Sequence, residues 1–249
     1  MTYMAQGSRA VPRDDISVGV LSHVGMERTE NQDYCGVYEP EDAKLFDLKG
    51  RLFVVCDGMG GHAGGEIASR IGVERIVETY LSGTSNNTIE SLKHAIEASS
   101  RGIWVKAQDQ AALRGMGSTS VVMVIKNNMA YFGHVGDSRA YIIRQGKIEQ
   151  ITKDHSLVQQ MVDEGLLDAS EMENHPDKNV ILRSMGVKPE VECDILYYPI
   201  EIGDAYILCT DGLSGLVSDE EILNITMDNE HNPQEACQRL VDLANAYGG

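Results

Sequence analysis

The chain has 249 residues, 42% hydrophobic and 24% charged, the balance of a globular protein long enough to bury a large core without covalent staples. Its 38 acidic and 21 basic residues leave a formal charge of −17, which argues against a nucleic-acid binder and against adhesion to anionic lipid, since both need a basic surface. The cysteines Cys35, Cys56, Cys193, Cys209 and Cys237 are odd in number and none lies two or three residues from another, so neither a disulfide framework nor a zinc site is expected, and a reducing cytoplasm is the default. No apolar run approaches the roughly 20 residues that span a bilayer.

Taken in chain order, 1–15 is a polar, flexible leader. Strand-like runs follow at Ile16–Leu21, Tyr34–Tyr38 and Arg51–Cys56. The spacing of Val73, Ile76, Val77, Tyr80 and Leu81 predicts a helix over Ala63–Leu81. A second helix is expected over Thr88–Leu113, with Asn87 and Glu90 placed as a capping box. Four further strands are predicted at Ser118–Ile125, Met129–Val135, Arg139–Arg144 and Lys147–Thr152, with Asn127-Asn128 and Gln145-Gly146 as tight hairpin turns. Asp154–Lys188 is polar, with one short helix at Ser156–Gly165. Strands at Val191–Tyr197 and Ala205–Thr210 precede two helices opened by Ser218-Asp219-Glu220-Glu221 and Asn232-Pro233-Gln234-Glu235. Clustered strands with paired helices predict an α+β protein with antiparallel sheets, and no linker divides the chain.

Three aspartates end apolar runs: Asp57 after Leu52–Cys56, Asp137 after Phe132–Gly136, and Asp211 after Tyr206–Thr210. A carboxylate at such a position is costly unless it is paired or holds a cation. One such aspartate reads as a turn former; three together read equally well as an all-oxygen cation site suited to magnesium or manganese. The glycine-rich run Gly58–Gly65 lacks the Lys-Ser/Thr of a nucleotide-binding P-loop, so a flexible turn accounts for it as well as a phosphate cradle does.

The ordered set Arg28-Thr29-Glu30-Asn31-Gln32-Asp33, Asp57-Gly58-Met59-Gly60-Gly61-His62, Gly117-Ser118-Thr119-Ser120, Gly136-Asp137-Ser138-Arg139 and Thr210-Asp211-Gly212-Leu213-Ser214 resembles the metal-dependent protein phosphatase family of type 2C, in its compact bacterial form. The resemblance spans about 16–249. It implies a sandwich of two antiparallel β-sheets flanked by pairs of helices, with a dinuclear metal site at one end and a flap, 154–188, beside it. It implies hydrolysis of phosphoserine and phosphothreonine in proteins by a water that two or three Mg2+ or Mn2+ ions activate. Asp57, the Gly58 carbonyl and Asp211 match metal ligands, and Asp137 with Asp211 matches the ligands of a third ion. Gln32 and Asp33 match residues behind the ligands that hold water on the metals. Arg28 matches the residue that grips the substrate phosphate with its planar fork, and His62 matches a proton donor to the leaving alkoxide. The implied partners are phosphorylated proteins and a cognate serine/threonine kinase; a monomer is expected. Members continue, after a helix like Gln234–Tyr247, with Gly-x-Asp-Asn and a further strand, whereas this chain stops at Tyr247-Gly248-Gly249. A domain short of its last ligand motif and strand is therefore expected, and a phosphoprotein- or partner-binding domain with little turnover is the alternative.

Overall fold

The structure, a computed structural model, describes residues 16–60 and 64–249. The leader 1–15 and His62 lie outside the described residues. The first sheet has six strands: β1 (Asp33–Tyr38), β2 (Arg51–Met59), β3 (Gly117–Ser118), β4 (Ser120–Lys126), β5 (Met129–Val135) and, after an interval, β8 (Asp194–Pro199). Their order is β1-β2-β4-β5-β8, antiparallel throughout, with β3 on the end of β2. The second sheet is β7-β6-β9, formed by β6 (Arg139–Arg144), β7 (Lys147–Gln150) and β9 (Ala205–Cys209).

Helices α2 (Gly64–Ser82) and α3 (Thr88–Asp109) cover the outer face of the first sheet, and α6 (Asp219–Asp228) and α7 (Pro233–Ala246) cover that of the second. The expected sandwich with paired helices is what the chain forms. Strand alternation explains the layers. In β2, Leu52, Val54 and Cys56 face α2 and α3, while Phe53 and Val55 face the second sheet. The same alternation in β4 sends Val122 and Val124 outward and Val121 and Met123 inward to meet Phe132, Ala140, Tyr206 and Leu208.

Local signals set most boundaries. Asn127 and Asn128, at φ 52° and 59°, turn β4 into β5, and Gln145 and Gly146, at 53° and 72°, turn β6 into β7, the positive-φ pairs that match strand twist. Asn87 caps α3 by accepting from the amides of Ile89 and Glu90. Ser218 and Glu221 form a reciprocal capping box on α6, and Asn232 with Pro233 opens α7.

Several expectations need correction. Ile16–Leu21 is irregular rather than a strand. The backbone N–H and C=O of Val20 are taken, each at 3.1 Å, by the side-chain amide of Gln234 on α7, which supplies the donor and acceptor that a neighbouring strand would. The run Ser118–Ile125 is broken at Thr119 into β3 and β4, and the helix expected to reach Leu113 ends at Asp109, with a 3-10 turn over Ala111–Leu113. The strand expected over Val191–Tyr197 starts three residues later and ends two later, as Asp194–Pro199. Two helices were not legible: α1 (Ala43–Lys49), capped by Asp42, and the single turn α5 (Asp211–Ser214). Within 154–188, α4 (Leu157–Asp163), capped by Ser156, and a 3-10 turn at Ala169–Asn174 form an excursion closed at its neck by a bridge between Ser156 and Ile181.

Candidate active site at the end of the sandwich

Alternation puts Asp57 on the same face of β2 as Phe53 and Val55, toward the second sheet but beyond the apolar layer. Asp33 starts β1 directly opposite Asp57 in the ladder. From the second sheet, Thr210 follows β9 directly and its hydroxyl donates to Asp33 Oδ2 at 2.8 Å, tying the two sheets at this end. Asp211 opens α5 immediately afterwards, within hydrogen-bonding reach of Asp57. Asp137 sits in the turn from β5 to β6 and is 9% exposed. All four carboxylates line one long cleft of about 1530 Å³ between the sheets, with Arg28, Gln32 and Asp154.

The electrostatics are those of crowded anions. Burial, then the charges of Asp33 and Asp211, push the Asp57 carboxyl up to about 9. Burial, then Asp211 and Asp154, push Asp137 up to about 7. Burial raises Asp33 too, against the lowering pull of the Thr210 hydroxyl. Asp137 Oδ1 is buried without a hydrogen-bond partner. Among the described residues no three His, Cys, Asp or Glu side chains already converge in ligand geometry. The cluster is instead a set of mutually repelling neighbours, with Asp57 facing Asp33, Asp211 and Asp137, and Asp211 also acting on Asp33 and Asp137.

Around the carboxylates the backbone is tightly fixed. A Cβ at Gly58 would collide with the Gly65 carbonyl and stand 2.8 Å from that of Gln32, so only glycine admits this approach of the α2 N-terminus. The Gln32 carbonyl accepts from the Gly58 amide at 3.0 Å, and its side chain accepts from Arg28 Nη1 at 3.3 Å. Arg28 is exposed at the mouth, and its charge counters the rise of Asp33. The structure thus brings Arg28, Gln32, Asp33, Asp57, Gly58, Asp137 and Asp211 to one end.

The motif Gly117–Ser120 has a task that its sequence alone does not announce. Thr119 Oγ1 accepts from the Asp57 amide at 2.9 Å and shares a 2.6 Å hydrogen bond with Ser138 Oγ, while Ser118 Oγ donates to the Asp57 carbonyl. These hydroxyls join the backbone that carries Asp57 to the turn that carries Asp137. Arg139 and Asp154 were missed as well; they form a doubly hydrogen-bonded ion pair at 2.7–3.0 Å behind Asp137. Hydroxyl residues at the head of an otherwise all-apolar strand were the available signal.

The model of the protein phosphatase 2C family matches residues 26–245. Protein phosphatase PhpP of Streptococcus pneumoniae is 36% identical over 238 residues, 94% of this chain and 93% of that protein. The serine/threonine phosphatase of S. agalactiae superposes with a TM-score of 0.83 at 33% identity, covering 93% of each chain. The catalytic domain of the serine/threonine phosphatase PstP, solved in complex with two manganese ions, superposes with a TM-score of 0.76 at 32% identity over 99% of this chain and 92% of that one. A four-layered sandwich with its acidic groups gathered at one end, matched over nearly its whole length, places this chain in the protein phosphatase 2C family.

Proposed function

We propose that the chain is a metal-dependent protein phosphatase that hydrolyses phosphoserine and phosphothreonine, with the carboxylate cluster as its cation site. The carrying observation is Asp57, held between sheets against Asp33 and Asp211, with no basic group among the main influences on its charge. The donor set fits magnesium or manganese. It is all oxygen, it is crowded with anions that a dication neutralises, and it includes a buried carboxylate oxygen at Asp137 without a partner. The two manganese ions of PstP support the same choice.

In this reading Asp57, the Gly58 carbonyl and Asp211 hold two ions, and Asp137 with Asp211 holds a third. Bound dications supply Lewis-acid activation of a water nucleophile and neutralise phosphoryl charge. The chain's own residues do the rest. Arg28, at the mouth, binds two phosphate oxygens through its planar guanidinium, and Gln32 aims it by accepting from Nη1. Asp33, oriented by the Thr210 hydroxyl, accepts hydrogen bonds from water at the cluster. His62 donates the proton that the leaving serine or threonine alkoxide needs.

The substrates are phosphorylated proteins, so a serine/threonine kinase must supply them. We propose a cytoplasmic monomer with such a kinase as its partner. The described cysteines are all free thiols, in keeping with a reducing compartment, and no helix among the described residues is long and apolar enough to cross a membrane. Manganese-dependent release of phosphate from a phosphothreonine peptide tests the reading. Turnover that needs the ion supports the enzyme; peptide binding without turnover would favour the phosphoprotein-binding alternative.

A further inference from the structure

His155 stands at the neck of the 156–181 excursion, and all its polar groups are engaged. Its amide donates to the Gly136 carbonyl at 2.8 Å, and its Nδ1 accepts from the Gly136 amide at 3.0 Å, so one residue clamps both sides of the glycine before Asp137. Its carbonyl accepts from the Leu182 amide at 2.8 Å, which closes the excursion beside the Ser156–Ile181 bridge. Because Nδ1 is an acceptor, the neutral ring carries its proton on Nε2, which points at Asp194 Oδ2 3.2 Å away. Asp194 Oδ1 in turn accepts from Arg183 Nη1 at 2.7 Å, and the same Nη1 stands 3.0 Å from His155 Nε2, so the imidazole, the carboxylate and the guanidinium touch one another. Beside the ring lies His134, fully buried, its ring tilted by 32° at 4.7 Å between centroids. Gly136 has φ 107°, and a Cβ there would stand 2.6 Å from Thr119 Cγ2, so the turn has no slack of its own.

We propose that His155, oriented by Asp194 and Arg183, is a positioning residue that joins the flap to the Asp137 turn, so that displacement of the flap displaces the Asp137 carboxylate. The neck, through the Leu182 amide, and the turn, through both polar groups of Gly136, meet on this one residue. The inference rests on the reading of Asp137 as an ion ligand, but the link itself is observable in metal-free protein.

The test variant is Asp194→Asn, which keeps the shape of a side chain that is 44% exposed and removes the charge that orients His155 and Arg183. His155→Asn is the second variant; its amide oxygen replaces Nδ1 toward Gly136 but does not reach Asp194. Hydrogen exchange on the metal-free protein should show the Leu157 and Leu182 amides exchanging about tenfold faster in both variants, as expected when a charge-assisted hydrogen bond is lost. Manganese titration should then show the weakest site weakened about fivefold by Asp194→Asn in the wild-type background and unaffected in an Asp137→Ala background, the non-additivity of coupled groups. Unchanged exchange at the neck, or equal effects of Asp194→Asn in both backgrounds, would overturn the proposal. Failure of the wild type to bind manganese would instead overturn the cation site and leave the exchange result to decide the link.

Discussion

In the first sheet Leu52, Val54, Val122 and Val124 are covered by α2 and α3 to 1% exposure or less, and Ile76, Leu92, Ile96 and Ile103 complete a continuous core. In the second sheet β6 buries Ala140, Tyr141 and Ile143, but Tyr206, Ile207 and Leu208 of β9 stay half-buried, and the cluster beneath α6 and α7 has four buried members, Val217, Ile222, Leu240 and Ala244. Free energy of burial follows apolar area removed from water, so the first half is the firmer body. Asp33 and Asp57 ride on it, whereas Asp211 belongs to the looser half and Asp137 to the turn that links the two. Without a cation, like charge pushes the two bodies apart at this end, and the Thr210–Asp33 hydrogen bond and the Thr119–Ser138 bridge oppose that push. The carboxylates are thus held from two sides of unequal stiffness, and a dication bound between them would join the sheets as well as serve chemistry.

The largest effect is expected from Asp57→Asn, which removes the carboxylate facing both bodies. Turnover should fall by roughly 10³-fold or more, since several kcal/mol of transition-state stabilisation depend on the bound ions. Metal-free stability should move the other way. Asp57 titrates near 3.8 when unfolded and about 9 when folded, so the folded state binds the proton more tightly. The stability this gives is fully present below about pH 4 and is lost as pH rises through 9. Wild-type metal-free protein should therefore melt at a lower temperature at pH 9 than at pH 5. The variant should show a smaller drop and melt higher than wild type at pH 9. Identical pH profiles for the two would break the picture of crowded anions.

His62→Gln comes next. Loss of a general acid should cost about 10²–10⁴-fold on a phosphothreonine peptide, whose leaving alkoxide is very basic, and far less on a nitrophenyl phosphate. Equal losses on both would assign His62 a packing role.

Thr119→Val sharpens the comparison more finely, because it cuts the hydroxyl bridge between the bodies and keeps the shape. The Asp57 amide and Ser138 Oγ then lose a partner, at a cost of about 1–3 kcal/mol. Melting temperature should drop by about 2–4 °C for each of those kcal/mol. Manganese affinity should fall with it, and Thr119→Ser should restore both. A stability loss with unchanged manganese affinity would make the bridge purely structural.

Much of this was legible in the sequence for physical reasons. Met129–Val135 and Arg139–Arg144 begin and end as read, because the turns between strands are fixed locally by residues that tolerate positive φ. The gathering of Asp57 and Asp211 followed from carboxylates placed where apolar strands stop. What stayed hidden depends on contacts distant in sequence. Ile16–Leu21 has strand-like residues, yet its Val20 peptide is satisfied by Gln234, more than two hundred positions away. The pairing of Thr119 with Ser138, and of His155 with Gly136, is likewise set by how β4 and β5 meet the flap, which no periodicity reports.

Proton release on manganese binding reports on the carboxylate cluster itself. At pH 7.5 the metal-free cluster holds the Asp57 proton, because burial and neighbouring carboxylates keep that group protonated up to about 9. A dication among these carboxylates must expel it. Calorimetric titration of metal-free wild-type protein in buffers of different ionisation enthalpy should show buffer-dependent heats equivalent to about one proton released, and Asp57→Asn should remove most of that dependence, leaving the smaller share of Asp137. Manganese binding with no buffer dependence, or with the same dependence in Asp57→Asn, would contradict the account.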